Sequence, residues 1–322
     1  DARRGSIEAP RDEFNIAYLI FYLQGIGCLV PWNCFITVNA YFSAKLSNSQ
    51  FKNNFLPYFT TSFQIVNILL LIFATKYMNR IPIKYRIGVP MFIQLMMFVI
   101  VTWMVKSDIE GDRFFYLTLV LVIISAATTS FYQGGLFGLS GVLPFKYTQA
   151  MMGGQGLGGV VVAVMNLLTL SFISDPVDAA LIFFVVAVVV LTLCNIGLYI
   201  LLKRPIVVWY IDHSAKMSDS AGVNSTSPGT KQLSPWDVYK KIAPMAWSVL
   251  GIFAVTLSLF PSIAVTIRSE YAGSHYADHL FVPVFCFLVF NVADLTGRTL
   301  AGMWKFPSEV KAHLMKWCSL GR

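Results

Sequence analysis

Charge is what this sequence has least of. Its 322 residues include 16 Asp and Glu and 24 Lys and Arg, 12% of the chain, against 56% apolar residues. A soluble domain is about 25% charged, so this chain cannot cover a water-facing surface. Cysteine is also scarce. Cys28, Cys34, Cys194, Cys286 and Cys318 lie in or beside apolar segments with no CxxC spacing, which excludes a disulfide framework and reads as small packing residues. The four histidines, His213, His275, His279 and His313, fall in polar connections or near helix ends and form no ligand cluster. Walker, GxSxG and HExxH motifs are absent, so neither ATP-driven work nor a soluble-enzyme mechanism has a signature here, and no metal or cofactor is expected. A signal peptide is missing too. Asp1 to Glu13 is polar, and the apolar run after it is too long and too aromatic, so it reads as a retained first span.

What the sequence does have is apolar runs of about 20 residues, each long enough to cross about 30 Å of hydrocarbon as a helix. Backbone amides in lipid must be satisfied internally, by helices or a closed barrel, and continuous apolar runs point to helices. The pattern predicts eight spans, near 15–42, 56–78, 87–105, 114–143, 149–173, 179–202, 244–267 and 279–302, with a ninth apolar stretch starting near His313. The expected class is an all-α polytopic membrane protein. A polar segment (1–14) precedes a six-helix bundle (15–202), a long polar loop (203–243) and a partial second bundle (244–322). Two helical blocks joined by a long loop resemble a two-bundle transporter.

Basic residues set the expected orientation. With the N-terminus in the cytoplasm, 16 of the 24 Lys and Arg fall in inside connections, and only Lys45, Lys52, Lys106, Arg113 and Arg268 fall outside. That bias, with attraction to anionic lipid, accounts for the net charge of +8 without a nucleic-acid partner. The sequon Asn224-Ser225-Thr226 then lies in the cytoplasmic loop, where it is not glycosylated.

Within the spans, only Asp294 among the acids and Arg298 among the bases lie deep. Each costs about 2.5–3.5 kcal/mol at the bilayer centre, and a spacing of four puts them on one face, within pairing reach. Asn291 and Phe287 extend that stripe backwards. A structural lock and a functional site both remain open readings. In the first span, Pro31-Trp32-Asn33 follows Gly25-Ile26-Gly27. The proline frees a carbonyl one turn earlier that can line a cavity, and the depth of Trp32 favours a pore-lining place over an interfacial one. The fourth span carries Gln133-Gly134-Gly135-Leu136-Phe137-Gly138, and the fifth Gly153-Gly154-Gln155-Gly156-Leu157-Gly158-Gly159. Gly134/Gly138 and Gly154/Gly158 have the GxxxG spacing of close helix packing, and Gly159 adds to the second run. Gln133 stands apart, because a buried amide suits reading the edge of a heterocycle.

These residues resemble one family. Pro31-Trp32-Asn33, the Gln133 to Gly138 run with Gly156-Leu157, Phe260-Pro261, and Phe290-Asn291-Val292-Ala293-Asp294-Leu295-Thr296-Gly297-Arg298 are similar, in this order, to motifs of the equilibrative nucleoside transporters. The last matches their FNxxDxxGR signature, and the resemblance spans about 15–302.

The resemblance implies facilitated diffusion of nucleosides of the adenosine and uridine class, and in some members of nucleobases, through a major-facilitator-like fold. It places Trp32 against the base, Gln133 on the base edge, and Arg298, oriented by Asp294, on the ribose hydroxyls. Leu29, Phe260, Phe287 and Asn291 match pocket-lining positions. The implied membrane is the plasma membrane, with a lysosomal or endosomal membrane as the alternative, and no obligate protein partner is inferred. The family has eleven spans, and this chain stops at the start of a ninth, which reads as a C-terminal truncation. A facilitator for another polar solute such as a sugar is the competing reading, with a receptor or a channel behind it.

Overall fold

The computed structural model describes residues 9–77, 81–173, 175–223, 235–260, 263–267, 269, 270, 273 and 280–303. Pro261, Arg268, the sequon, Cys318, three of the histidines and the apolar stretch near His313 lie outside the described residues.

The protein is an all-α polytopic membrane protein. Seven helices are long and apolar enough to cross a bilayer among the described residues. They are α1 (Ile16–Thr37, entered through a 3-10 turn), α3 (Phe55–Tyr77), α4 (Ile83–Val105), α5 (Gly111–Val142), α6 (Phe145–Phe172), α7 (Pro176–Leu201) and α10 (Val289–Met303, preceded by the π-helical turn Val282–Leu288). Three further helices are α2 (Asn39–Lys45), α8 (Pro205–Val223) and α9 (Pro235–Leu259). The expected seventh span at 244–267 is α9. It starts earlier, at Pro235, and runs without a break to Leu259. The first predicted span is broken at Val38, which leaves the helical region (φ −82°, ψ 53°) and sets α2 off from α1.

The loop expected over 203–243 is helical through its first half. Ile206 and Val207 are buried, and Tyr210 and Ile211 pack half-buried on the same apolar cluster as Leu201 and Tyr147. That stripe of i, i+4 apolar residues gives α8 a face to dock, and Pro205 suits its first turn.

Large apolar side chains such as Leu69, Ile72, Trp103, Phe172 and Ile196 face outward. Lipid-facing helices do this, and burial of apolar surface therefore gives little drive for helix association in a membrane. Close packing and interhelical hydrogen bonds supply it instead. At one end, a phenylalanine-rich cluster joins α1, α2, α3, α4, α5 and α7, with Phe42 edge-on to Phe59 (5.6 Å) and Phe51 stacked on Phe115 (3.8 Å). Polar bridges do the rest. Tyr132 Oη donates to Gln24 Oε1 (2.7 Å) while Gln24 Nε2 donates to the Cys194 carbonyl (2.8 Å), tying α5, α1 and α7. Gln94 donates to Ser125 Oγ (3.0 Å) between α4 and α5. Lys45, buried on α2, donates to the Ser107 carbonyl (2.7 Å) and pairs with Glu110 (3.6 Å).

The entry to α1 is built in the same way. Phe14 and Asn15 take positive φ (55° and 53°), folding the chain back so that the Asp12 carboxylate accepts from the Ala17 and Tyr18 amides (3.0 and 3.1 Å) and from Tyr147 Oη (3.2 Å). A negative group here satisfies orphan amides and complements the positive helix end.

Backbone packs on backbone where α1 meets α6. A Cβ on Gly154 would overlap the Tyr22 carbonyl oxygen, one on Gly25 would overlap that of Met151, and one on Gly158 would sit 3.0 Å from that of Ile26. These are backbone atoms that cannot rotate aside. Gly154→Val should therefore cut surface delivery at least tenfold, because overpacking costs about 1–3 kcal/mol even against movable side chains. Gly141→Ala, at a site with nothing within 4 Å, should leave delivery near wild type. Surface biotinylation of both variants checks the contrast.

Candidate functional site

α6 is the wall on which the site is built. Its successive glycines face two different helices. Gly154 and Gly158 receive α1, whereas Gly156 and Gly159 receive α10: a Cβ on Gly156 would lie 2.8 Å from Leu295 Cα and 3.2 Å from Arg298 Cδ, and one on Gly159 would overlap Asn291 Oδ1. Between these notches stands Gln155, 3% exposed.

The intramembrane charges meet there. Arg298 Nε donates to Asp294 Oδ2 at 2.7 Å within α10, and Arg298 Nη1 donates to Gln155 Oε1 at 3.1 Å across to α6. The Asp294 and Arg298 side chains keep 31% and 19% of their surface exposed, so the pair is neither fully desolvated nor fully spent. A guanidinium has five N–H donors, and only two are used by described residues. The other three donors have no hydrogen-bond partner among the described residues and suit a ligand that accepts hydrogen bonds.

The other members of the α10 stripe pack inward. Asn291 is buried and donates from Nδ2 to the Phe287 carbonyl (2.8 Å). Phe287 sits in the π-helical turn, a deviation common at functional sites. Phe260, at the C-terminal end of α9, stacks on Phe290 (3.8 Å) and meets Phe287 edge-on (5.6 Å). Six residues thus come together: Asp294, Arg298, Asn291, Phe287, Phe260 and the unforeseen Gln155.

Trp32, Leu29 and Gln133 stand on other walls. Trp32 is half-buried against Phe63 of α3 (4.5 Å between ring centroids). The Leu29 carbonyl accepts from Asn33 Nδ2 (2.9 Å), so the turn around Pro31 is braced by the asparagine after Trp32. Gly27, whose carbonyl the proline releases, is buried. Gln133 on α5 is half-buried, and its amide has no hydrogen-bond partner among the described residues. No hydrogen bond or ring contact among the described residues joins these three to the Arg298 group.

Gly134 and Gly138 touch side chains and not a second backbone. A Cβ on Gly134 would meet Leu71 Cδ1 at 3.5 Å, and one on Gly138 would overlap the Arg86 guanidinium. Gly135 is a further close contact on α5, where a Cβ would lie 2.7 Å from Ile87 Cγ1.

A cavity of about 590 Å³ opens beside this site, between the C-terminal ends of α1 and α6, the start of α7 and the π-helical turn. Phe287 lines it, with Thr37, Asn39, Asn166 and Thr169 as polar lining. Its size suits a small ligand. Asn166 and Gln155 are the residues that sequence reasoning missed. Each is a lone amide in an apolar span, the signal that singled out Gln133, but the Gly-rich run around Gln155 reads first as a packing motif.

The sequence profile of the nucleoside transporter family matches residues 117–322. The chain is 30% identical to "Equilibrative nucleoside transporter 3" of Rattus norvegicus, over 94% of this chain and 70% of that protein. It is 29% identical to "Equilibrative nucleoside transporter 1" of Homo sapiens (93% and 77%) and 26% identical to "Equilibrative nucleotide transporter 1" of Arabidopsis thaliana (94% and 68%).

The geometry of the pair generates a stability prediction that needs no substrate. Breaking a fully buried pair costs about 3–5 kcal/mol, and partial exposure lowers that here. Arg298→Ala should reduce the fraction of protein surviving detergent extraction as a monodisperse species. Asp294→Asn combined with Arg298→Gln should restore it, since no charge is stranded. Fluorescence-detected size-exclusion chromatography reads the difference, and a double variant no better than Arg298→Ala would contradict a charge-based cost.

Proposed function

Because this chain belongs to the equilibrative nucleoside transporter family, we propose that it carries nucleosides across a membrane down their own gradient by alternating access. The family is one of transporters, so the chain is not an enzyme. The observation that carries the reading is the Arg298 guanidinium, held inside the membrane by Asp294 and Gln155 with donors left over.

A nucleoside has a flat apolar ring with a hydrogen-bonding edge and a sugar bearing hydroxyls. Arg298 takes the ribose hydroxyls through its unused N–H groups. Trp32, backed by Phe63, walls the base. Gln133, whose amide is unpartnered among the described residues, reads the base edge with a donor and an acceptor. Leu29, Phe260, Phe287 and Asn291 complete the pocket. A pocket that reads the ring edge separately from the sugar also admits nucleobases. The N-terminus is cytoplasmic by the distribution of Lys and Arg, which puts the 590 Å³ cavity on the outer side, as the mouth of the path. The two helical blocks form a major-facilitator-like pair, in the plasma membrane.

Transport is passive. Proton- or sodium-coupled carriers keep unpaired carboxylates or unwound carbonyl sites in the membrane. Asp294, the one deep carboxylate, is committed to Arg298.

Cells expressing the protein should take up labelled uridine and adenosine, but not glucose, and uptake should persist after the proton and sodium gradients are collapsed. The Asp294→Asn/Arg298→Gln variant should reach the surface and transport less than a tenth as well. Accumulation of unmetabolised nucleoside above its external concentration would sink the passive reading, and uptake of glucose in place of nucleosides would sink the substrate class.

A further inference from the structure

We propose that Gln155 is a positioning residue of the nucleoside site, setting the direction of the Arg298 guanidinium so that its unused donors face the sugar. The inference rests on the proposed nucleoside transport. Asp294 alone does not set that direction. It sits one turn back on the same helix and holds Nε, the donor nearest the chain, and a side chain with several rotatable bonds keeps freedom beyond that anchor. The second anchor comes from a different helix. Gln155 Oε1 accepts from Nη1 at 3.1 Å, and two anchors at different nitrogens fix a planar group in its plane. What remains is one N–H on Nη1 and both on Nη2, an edge shaped to take two neighbouring hydroxyls.

Three observations show that Gln155 is built for this. It is buried, so its own position is fixed by packing. The glycines on either side, Gly154 and Gly156, bring α1 and α10 against the backbone of α6, which holds the height of α10 and therefore of Arg298 relative to the amide. Most tellingly, Gln155 Nε2 is buried and makes no well-formed hydrogen bond among the described residues, facing only the Cys28 thiol, a weak acceptor. A buried donor so weakly partnered carries a desolvation cost that an apolar side chain would not. The strong bond of this amide is the one its Oε1 accepts from Arg298 Nη1.

The chemistry makes a selective prediction. Gln155 acts only through Arg298, and Arg298 acts on sugar hydroxyls. Loss of the acceptor should weaken recognition of uridine and leave 2′,3′-dideoxyuridine, which has neither hydroxyl of the pair, almost untouched. A residue that merely packs α6 on α10 would move both substrates equally.

The test is the concentration dependence of uptake for the two compounds in cells expressing the wild-type protein, Gln155→Leu and Gln155→Glu, each corrected for surface level. Gln155→Leu should raise the uridine KM about tenfold and change that of dideoxyuridine less than twofold. Gln155→Glu keeps an acceptor for Arg298 Nη1 and loses a donor that faces only the weakly accepting Cys28 thiol, so it should retain the wild-type ratio of the two KM values. Gln155→Met, unbranched and similar in length, replaces the leucine variant if that one does not reach the surface. An unchanged ratio in the acceptor-free variant, with the wild type transporting uridine, overturns the role of Gln155 alone. Equal loss of both substrates in Gln155→Leu and Gln155→Glu also overturns it, in favour of packing. A wild type that takes up neither compound overturns the proposed function, and this inference with it.

Discussion

The structure depends on one helix, α6, having almost no side chains over two of its turns. In a bilayer, the surrounding lipid is as apolar as the helices, so association rests on how closely backbones approach. Gly154 and Gly158 let α1 reach the backbone of α6 on one face, and Gly156 and Gly159 let α10 reach it on another. The same stretch therefore positions the helix that carries Trp32 and the helix that carries Arg298. A Cβ at Gly154 or Gly156 would press on backbone atoms, and one at Gly159 on the Asn291 side chain. Gln155 is the exception that the arrangement makes room for, and it points its acceptor at Arg298.

Two sets of polar groups inside the membrane stand out from this. Those that hold helices together are satisfied within the protein, as Gln24, Tyr132 and Gln94 are. Those assigned to substrate are satisfied in part, as Arg298 is, or are unpartnered among the described residues, as Gln133 is. Unspent hydrogen-bonding capacity in a low-dielectric setting favours a ligand that completes it. In the proposed site a nucleoside would complete it, its hydroxyls and ring edge supplying the missing acceptors and donors while its ring replaces apolar contact.

Much of this was legible in the sequence because the bilayer imposes simple rules. Span length, the depth of Asp294 and Arg298, and their i, i+4 pairing follow from helix geometry alone, and the structure has that pair at 2.7 Å. What escaped depends on tertiary contact. The helix α8 was hidden because its polar C-terminal half outweighed the short stripe of Ile206, Val207, Tyr210 and Ile211, which needs a neighbouring cluster to dock on. The π-helical turn before α10 leaves no mark in the spacing of apolar residues. Among the glycines of α5, spacing alone picked Gly134 and Gly138; Gly138 does meet α4, at Arg86, but the contact of Gly135 with Ile87 on the same helix carries no spacing signal. Gln155 was visible as an intramembrane amide, but only the position of Arg298 across the interface gives it a partner.

The most direct test of the account is a structure of the protein with uridine bound. The account predicts ribose hydroxyls within about 3 Å of the Arg298 fork, Arg298 still bonded to Asp294 and Gln155, and the uracil ring between Trp32 and the Gln133 amide. A ribose that makes no contact with Arg298, or a base lodged away from both Trp32 and Gln133, would contradict it.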